Sequence, residues 1–176
     1  MNLTAGSSLD SNFKWARTKR GGDEVFEFHG FLDEDSELPA FNSYREEAVI
    51  IDCSHLKGID SGGARIWKSF CRNHAGLKFI LINIPVSFVQ NANFLPEFLP
   101  KNCVVKSAAV KLACETCDTE KIEFFEKDNH YAVWPGGFGM LGGGASHSRN
   151  CECGGGKLVM MESATKYFDF LSQTAC

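Results

Sequence analysis

No uninterrupted apolar run in this chain reaches the roughly 18 residues that suggest a membrane-crossing helix, and the opening MNLTAGSSLDSNFK lacks a basic stretch followed by an apolar one. Neither a membrane span nor a secretory leader is expected, which points to the cytoplasm. Positive charge is also short: 18 Lys and Arg against 22 Asp and Glu leave a net charge of −4. A chain of that sign has no general attraction for phosphate backbones or anionic lipid, so non-specific nucleic-acid binding is disfavoured. Catalytic patterns are missing too. No Ser-His-Asp order, metal-hydrolase motif, phosphate loop or pair of carboxylates on one short element occurs, and His29, His55, His74, His130 and His147 are scattered. A non-enzymatic role is the expectation.

Apolar residues and cysteine are not short. At 176 residues, 44% hydrophobic and 23% charged, the chain can bury one good core and carry a small second module. Eight cysteines are many for a protein without a leader. Disulfides are disfavoured there, and bound metal is the better use for some of them.

The stretch 48–67, AVIIDCSHLKGIDSGGARIW, organises the rest. Residues 48–51 are a β-branched apolar run, read as a strand buried on both faces and ended by Asp52. After a short polar loop, Ile59-Asp60-Ser61-Gly62-Gly63 opens a helix on which Ile66, Trp67, Phe70 and Cys71 share one face. Asp60 or Ser61 caps its start, and Gly76 suits its left-handed end. Gly62 and Gly63 leave room for a partner to approach closely.

Upstream, Phe13, Trp15 and Arg17 alternate with Lys14 and Ala16. Arg20-Gly21-Gly22-Asp23 then supplies a turn and residues 25–29 a second extended run, which together predict a β-hairpin. Ser36 caps a helix with Pro39 in its first turn and Leu38, Phe41 and Tyr44 at helical spacing. Downstream, 77–84 is a further strand, so that strand, helix and strand make a βαβ unit with parallel strands. Ser87 caps a helix carrying Phe88, Val89, Ala92 and Leu95, and 104–110 is a last strand.

From about residue 111 the composition changes. A hairpin of 121–125 with 130–134 precedes a stretch, 135–156, in which nine of 22 residues are glycine, a composition suited to a mobile loop. A strand at 158–161 and a helix at 163–171 close the chain. The expected organisation is a flexible segment at 1–12, an α/β domain at 13–110 and an extension at 111–176.

At Gly30-Phe31-Leu32-Asp33-Glu34-Asp35, at Val49-Ile50-Ile51-Asp52 and at Ile59-Asp60-Ser61-Gly62-Gly63 the sequence resembles the STAS domains, the family of bacterial anti-anti-sigma factors and their relatives. The resemblance implies an α/β fold with a mixed sheet and helices. In sigma-regulating members the loop reads Asp-Ser-Ser-Gly and its second serine is phosphorylated by an anti-sigma kinase; here that place holds Gly62. The chain is closer to a subgroup reading Asn-Ser-x-Gly followed by Arg and Trp two residues apart, as Arg65 and Trp67 are. Ser61 is the remaining hydroxyl of the motif. A phosphate on it would meet the orphan N–H groups of a helix start and repel or recruit a partner by charge.

The cysteines carry the second motif. Thiolates two residues apart can share a tight knuckle aimed at one metal, and two knuckles complete a tetrahedral zinc site. Cys114 and Cys117 have that spacing. Cys151 and Cys153, followed by Gly154, are the second pair, one residue closer than usual, with His147 as an alternative ligand to Cys151. Four ligands leave no open position, so the Zn2+ expected is structural, stapling a zinc-ribbon-like β module too small for its own core. Cys-x-x-Cys also serves thiol oxidoreductases, but there it opens a helix that lowers a thiolate pKa; here Glu115 and Asp118 flank the pair and a strand follows. Cys53, Cys71 and Cys103 read as small core residues.

The function expected from these residues is a regulatory or adaptor protein that binds a protein partner through the 60–63 loop. By the resemblance, that partner is an anti-sigma kinase-like protein in a signalling pathway of the partner-switching type. Two other readings are a zinc-ribbon nucleic-acid or transcription-complex binder, whose basic footprint would be Lys101, Lys106 and Lys111, and a STAS subunit of a transporter or chemosensory complex.

Overall fold

A computed structural model of the chain describes residues 5–6, 12–41, 48–134, 137–140 and 149–173. They form a mixed α/β structure in which strand outweighs helix. The first sheet is mixed and has six strands, in the order β1 (Ala5–Gly6), β2 (Lys14–Arg20), β3 (Asp23–Leu32), β4 (Ala48–Ile59), β5 (Lys78–Ile82) and β6 (Cys103–Val105). β1, β2 and β3 pair antiparallel, while β3 to β6 run parallel.

The expected hairpin forms from β2 and β3. Gly21 and Gly22 both take positive φ, 61° and 101°, the backbone that a two-residue turn needs to match the strand twist. Val49, Ile51, Phe79 and Leu81 are buried on the adjacent parallel strands, where helices can cover a sheet on both faces. β4 does not end at Asp52. It continues to Ile59 because β3 is long enough to pair with it across two register shifts, and because Cys53, Leu56 and Ile59 still turn into the core.

Between β4 and β5 runs α1 (Ser61–Asn73). Trp67 on its inner face is fully buried, and its indole N–H donates to the Phe98 carbonyl at 2.9 Å. That bond lets so large a group lie in the core without an unpaired donor. α1 stops short of Gly76: His74 is its C-cap, with the His74 amide donating to the Phe70 and Cys71 carbonyls. α2 (Val86–Phe94) follows β5. Its N-cap is Pro85 rather than Ser87, which lies inside the helix and caps nothing.

Residues 36–41 form no helix, contrary to the expected spacing; Tyr44 lies outside the described residues. Ser36 instead closes a turn on Asp33, its hydroxyl donating to the carboxylate at 2.7 Å and accepting from the Asp33 amide at 2.9 Å. With its hydroxyl used in that turn, Ser36 starts no helix. Phe41 then caps the core edge-on against Phe26 and Phe70.

The single strand expected at 104–110 is two strands in two sheets. β6 ends at Val105, Lys106 donates to Leu81 at 2.7 Å, and β7 (Ser107–Cys114) enters an antiparallel sheet. Its order is β11 (Arg149–Asn150), β12 (Lys157–Met160), β7 and β8 (Glu120–Glu126). β8 pairs with β7, and β9 (Tyr131–Trp134) pairs with β10 (Gly137–Met140), so the expected hairpin of 121–125 with 130–134 is not made. Part of the glycine-rich stretch is therefore strand, and residues 141–148 lie outside the description. The closing helix is short: α3 (Ala164–Tyr167), then a 3-10 turn (Asp169–Gln173). One hydrophobic cluster runs through both sheets, from Phe13, Trp67 and Phe79 to Leu112, Phe125, Leu158 and Phe168.

Candidate functional site

β7 delivers Cys114 as its last residue, and the turn that follows folds back on itself. The Cys114 amide donates to the Thr119 carbonyl, the Asp118 amide to the Cys114 carbonyl, and the Thr116 amide points at the Cys114 Sγ from 3.4 Å. The second knuckle is closed by the Gly154 amide on the Cys151 carbonyl and by the Cys151 amide on the Gly156 carbonyl, with Gly154 at a φ of 74°. Register brings the two together. β12 pairs with β7 so that Leu158 stands opposite Cys114, and the residues just before β12 must then lie beside those just after β7. The Glu115 amide donates to Lys157 and the Thr116 hydroxyl to Gly155, tying one knuckle to the other.

The result gathers the four sulfurs of Cys114, Cys117, Cys151 and Cys153 within 4.8 Å of one another. Cys114 and Cys153 lie 3.8 Å apart, and Cys117 and Cys151 3.7 Å apart. A tetrahedral centre with metal–sulfur bonds of about 2.3 Å requires sulfurs about 3.8 Å apart, so these residues fit a metal ion. Cys114 and Cys151 are buried, Cys117 and Cys153 exposed. Gly156 is part of the cradle, since a Cβ there would lie 2.5 Å from the Thr116 hydroxyl and 2.6 Å from the Cys114 Sγ. His147 lies outside the described residues.

Without metal, the sulfurs do not ionise alike. Hydrogen bonds from the Thr119 hydroxyl and amide, and from Cys114, hold the Cys117 thiol down at about 6. The Cys151 thiol is pushed up to about 12: the Cys153 amide favours its thiolate, but burial and the neighbouring sulfurs outweigh it. A cation at the centre removes this conflict by stabilising every thiolate at once. Cys117 sits in a strand-to-strand turn and opens no helix, unlike the cysteine of a thiol oxidoreductase. Cys53, Cys71 and Cys103 are buried apart from this group, where desolvation holds each thiol above its ordinary range.

Compared with protein families, curated proteins and solved structures, the chain matches none.

The 60–63 loop is a separate place. Asp60 is the N-cap of α1, its carboxylate accepting from the Gly63 amide at 2.8 Å. Ser61 is thereby relieved of capping and is exposed, as Asp60 is. Gly62 and Gly63 are buried, and what approaches them is this chain itself. A Cβ on Gly63 would lie 2.1 Å from the Leu32 carbonyl oxygen, and one on Gly62 2.8 Å from Glu34 Cβ. They are therefore not open to an approaching partner. They press the start of α1 against the end of β3, where the Asp60 amide donates to Leu32 at 3.2 Å.

Sequence reasoning missed a polar row across the first sheet. The Asp52 carboxylate, 2% exposed, accepts from Arg20 at 2.6 Å, Asn83 at 3.1 Å and the Ser54 amide at 2.9 Å. Arg20 also pairs with Glu27, while the Ser107 hydroxyl donates to Asn83 and accepts from its amide. Burial alone would raise the Asp52 carboxyl, but the Asn83, Ser54 and Arg20 bonds hold it below its ordinary range. The signal available in the sequence was an acid inside an apolar run, which a buried partner would explain.

Proposed function

We propose that the protein is a non-enzymatic regulatory adaptor that binds a protein partner at the exposed start of α1 and is braced by a structural zinc ion. The observation that carries the partner reading is the placement of Ser61. Its hydroxyl is exposed, free of capping duty, and carried on a helix start locked to β3 through Gly62 and Gly63. A rigid, exposed serine beside an exposed carboxylate suits charge-dependent recognition, because a phosphate there adds about two negative charges without unfolding the helix. The hairpin and the parallel β4, α1 and β5 unit support the STAS resemblance in part, without the helix expected after Asp35, and an anti-sigma kinase-like partner follows from the same resemblance.

Zinc is the metal proposed because four cysteine thiolates complete its preferred tetrahedral shell and leave no vacant position. Its role is to tie the turn after β7 to the turn before β12.

Both parts are testable. A photocrosslinking amino acid in place of Ser61, in the cells that express the protein, is expected to yield one discrete adduct with another protein, lost on Asp60→Lys. No adduct from position 61 overturns the loop reading. Native mass spectrometry of protein purified without added metal is expected to show one zinc per chain, lost in Cys114→Ser/Cys117→Ser.

A further inference from the structure

The final pair between β4 and β5 is Asp52 with Ile82, yet β4 runs on to Ile59 beside β3 alone. Beyond Asp52, one edge of the strand therefore has no strand partner among the described residues, and this edge forms the floor of a groove of about 430 Å³. The first turn of α2 makes one wall and the surface of β7 and β8 the other.

Three kinds of group meet there. Lys57 and Lys111 are the charged residues that line it, and no acidic residue does, in a chain whose net charge is −4. Neither has an acidic partner among the described residues. Ile122 and Phe124, two residues apart on β8 and so on one face, line the groove while remaining 61% and 42% exposed. Ser87 stands at the start of α2, a helix without a side-chain cap, and its hydroxyl is buried with no hydrogen-bond partner among the described residues.

We propose that this groove binds an extended, acidic segment of the partner protein that carries large apolar side chains. The segment's main chain runs along the open edge of β4, a carboxylate meets Lys57 and Lys111, and an apolar side chain rests on Ile122 and Phe124. The edge left without a strand partner decides for a polypeptide: backbone N–H and C=O groups are matched by another extended chain and not by lipid or nucleic acid. The two lysines, the charged groups of the lining, decide its charge. The inference deepens the adaptor reading and rests on it for the partner being a protein.

The test uses the full chain with fluorescein-labelled decapeptides in which Glu alternates with Phe or Val, against a matched set with Lys for Glu, read by anisotropy at physiological salt. The acidic set is expected to bind and the basic set not. Lys57→Glu/Lys111→Glu is expected to weaken binding about tenfold or more, since it reverses both charges that face the ligand. Phe124→Ser, a change at a partly exposed position, is expected to weaken binding of the acidic set while the circular dichroism spectrum stays unchanged. Equal binding of the two sets, or indifference to the lysine reversal, overturns the proposal. So does a concentration-dependent dimer abolished by Phe124→Ser, which would assign the groove to a second copy. The two readings fail separately: a crosslink from position 61 with no peptide binding overturns the groove alone, and peptide binding with no crosslink overturns the loop alone.

Discussion

Replacing Gly63 by alanine sets two physical effects against each other. Inside a helix, alanine is favoured over glycine by about 1 kcal/mol, so propensity predicts a more stable protein. The structure predicts the reverse. The new Cβ would lie 2.1 Å from the Leu32 oxygen, 2.5 Å from the Leu32 carbon and 2.9 Å from the Asp33 nitrogen. All three are backbone atoms, so relief requires β3 and α1 to separate by more than an ångström. Overpacking of that kind costs about 1–3 kcal/mol, occasionally more. Separation also stretches the Asp60-to-Leu32 bond, worth about 1 kcal/mol. The net expectation is destabilisation by about 1–3 kcal/mol, or a fall in Tm of about 2–12 °C for a chain of this size. Urea unfolding followed by circular dichroism at fixed metal content measures it. Ser61→Ala, an exposed change beside the same contact, should stay within about 0.5 kcal/mol. A Gly63→Ala protein as stable as the parent would refute the close approach and the rigid loop inferred from it.

Two further predictions concern the metal centre and the buried carboxylate. Gly156→Ala should weaken metal retention against a chelator, because its Cβ would intrude on the Cys114 sulfur, whereas Gly155→Ala, whose nearest contact would be an ordinary 3.6 Å to Thr116, should not. Equal retention by the two variants would count against the cradle. For Asp52, whose folded pKa lies below its unfolded value of about 3.9, the stabilisation is fully present above that unfolded value. It is lost as pH falls through the folded pKa. Asp52→Asn should therefore lower stability by about 2 kcal/mol at neutral pH, the scale of a charged hydrogen bond, and flatten the decline between about pH 5 and 2; an unchanged acid slope would show that the row does not hold the carboxylate ionised.

Local chemistry was legible wherever a few adjacent residues decide the backbone. Gly21-Gly22 announced the hairpin, Asp60-Ser61 the start of α1, and the phase of Trp67 with Phe70 the buried helix face, because turn, cap and periodicity act over one or two helical turns. The cysteine spacing marked Cys114, Cys117, Cys151 and Cys153 for the same reason: a knuckle is a local structure. What the sequence could not decide was pairing between distant segments. Asp52 looked like a strand end until β3 was seen to accompany β4 to Ile59. Residues 104–110 looked like one strand until Lys106 was seen to carry the chain from one sheet to the next. Gly62 and Gly63 looked open until Leu32 and Glu34 closed on them. The four sulfurs converge only because β12 pairs with β7 in the register that sets Leu158 against Cys114. Register of that kind is fixed by the summed burial of whole strands, and no short stretch of the chain contains it.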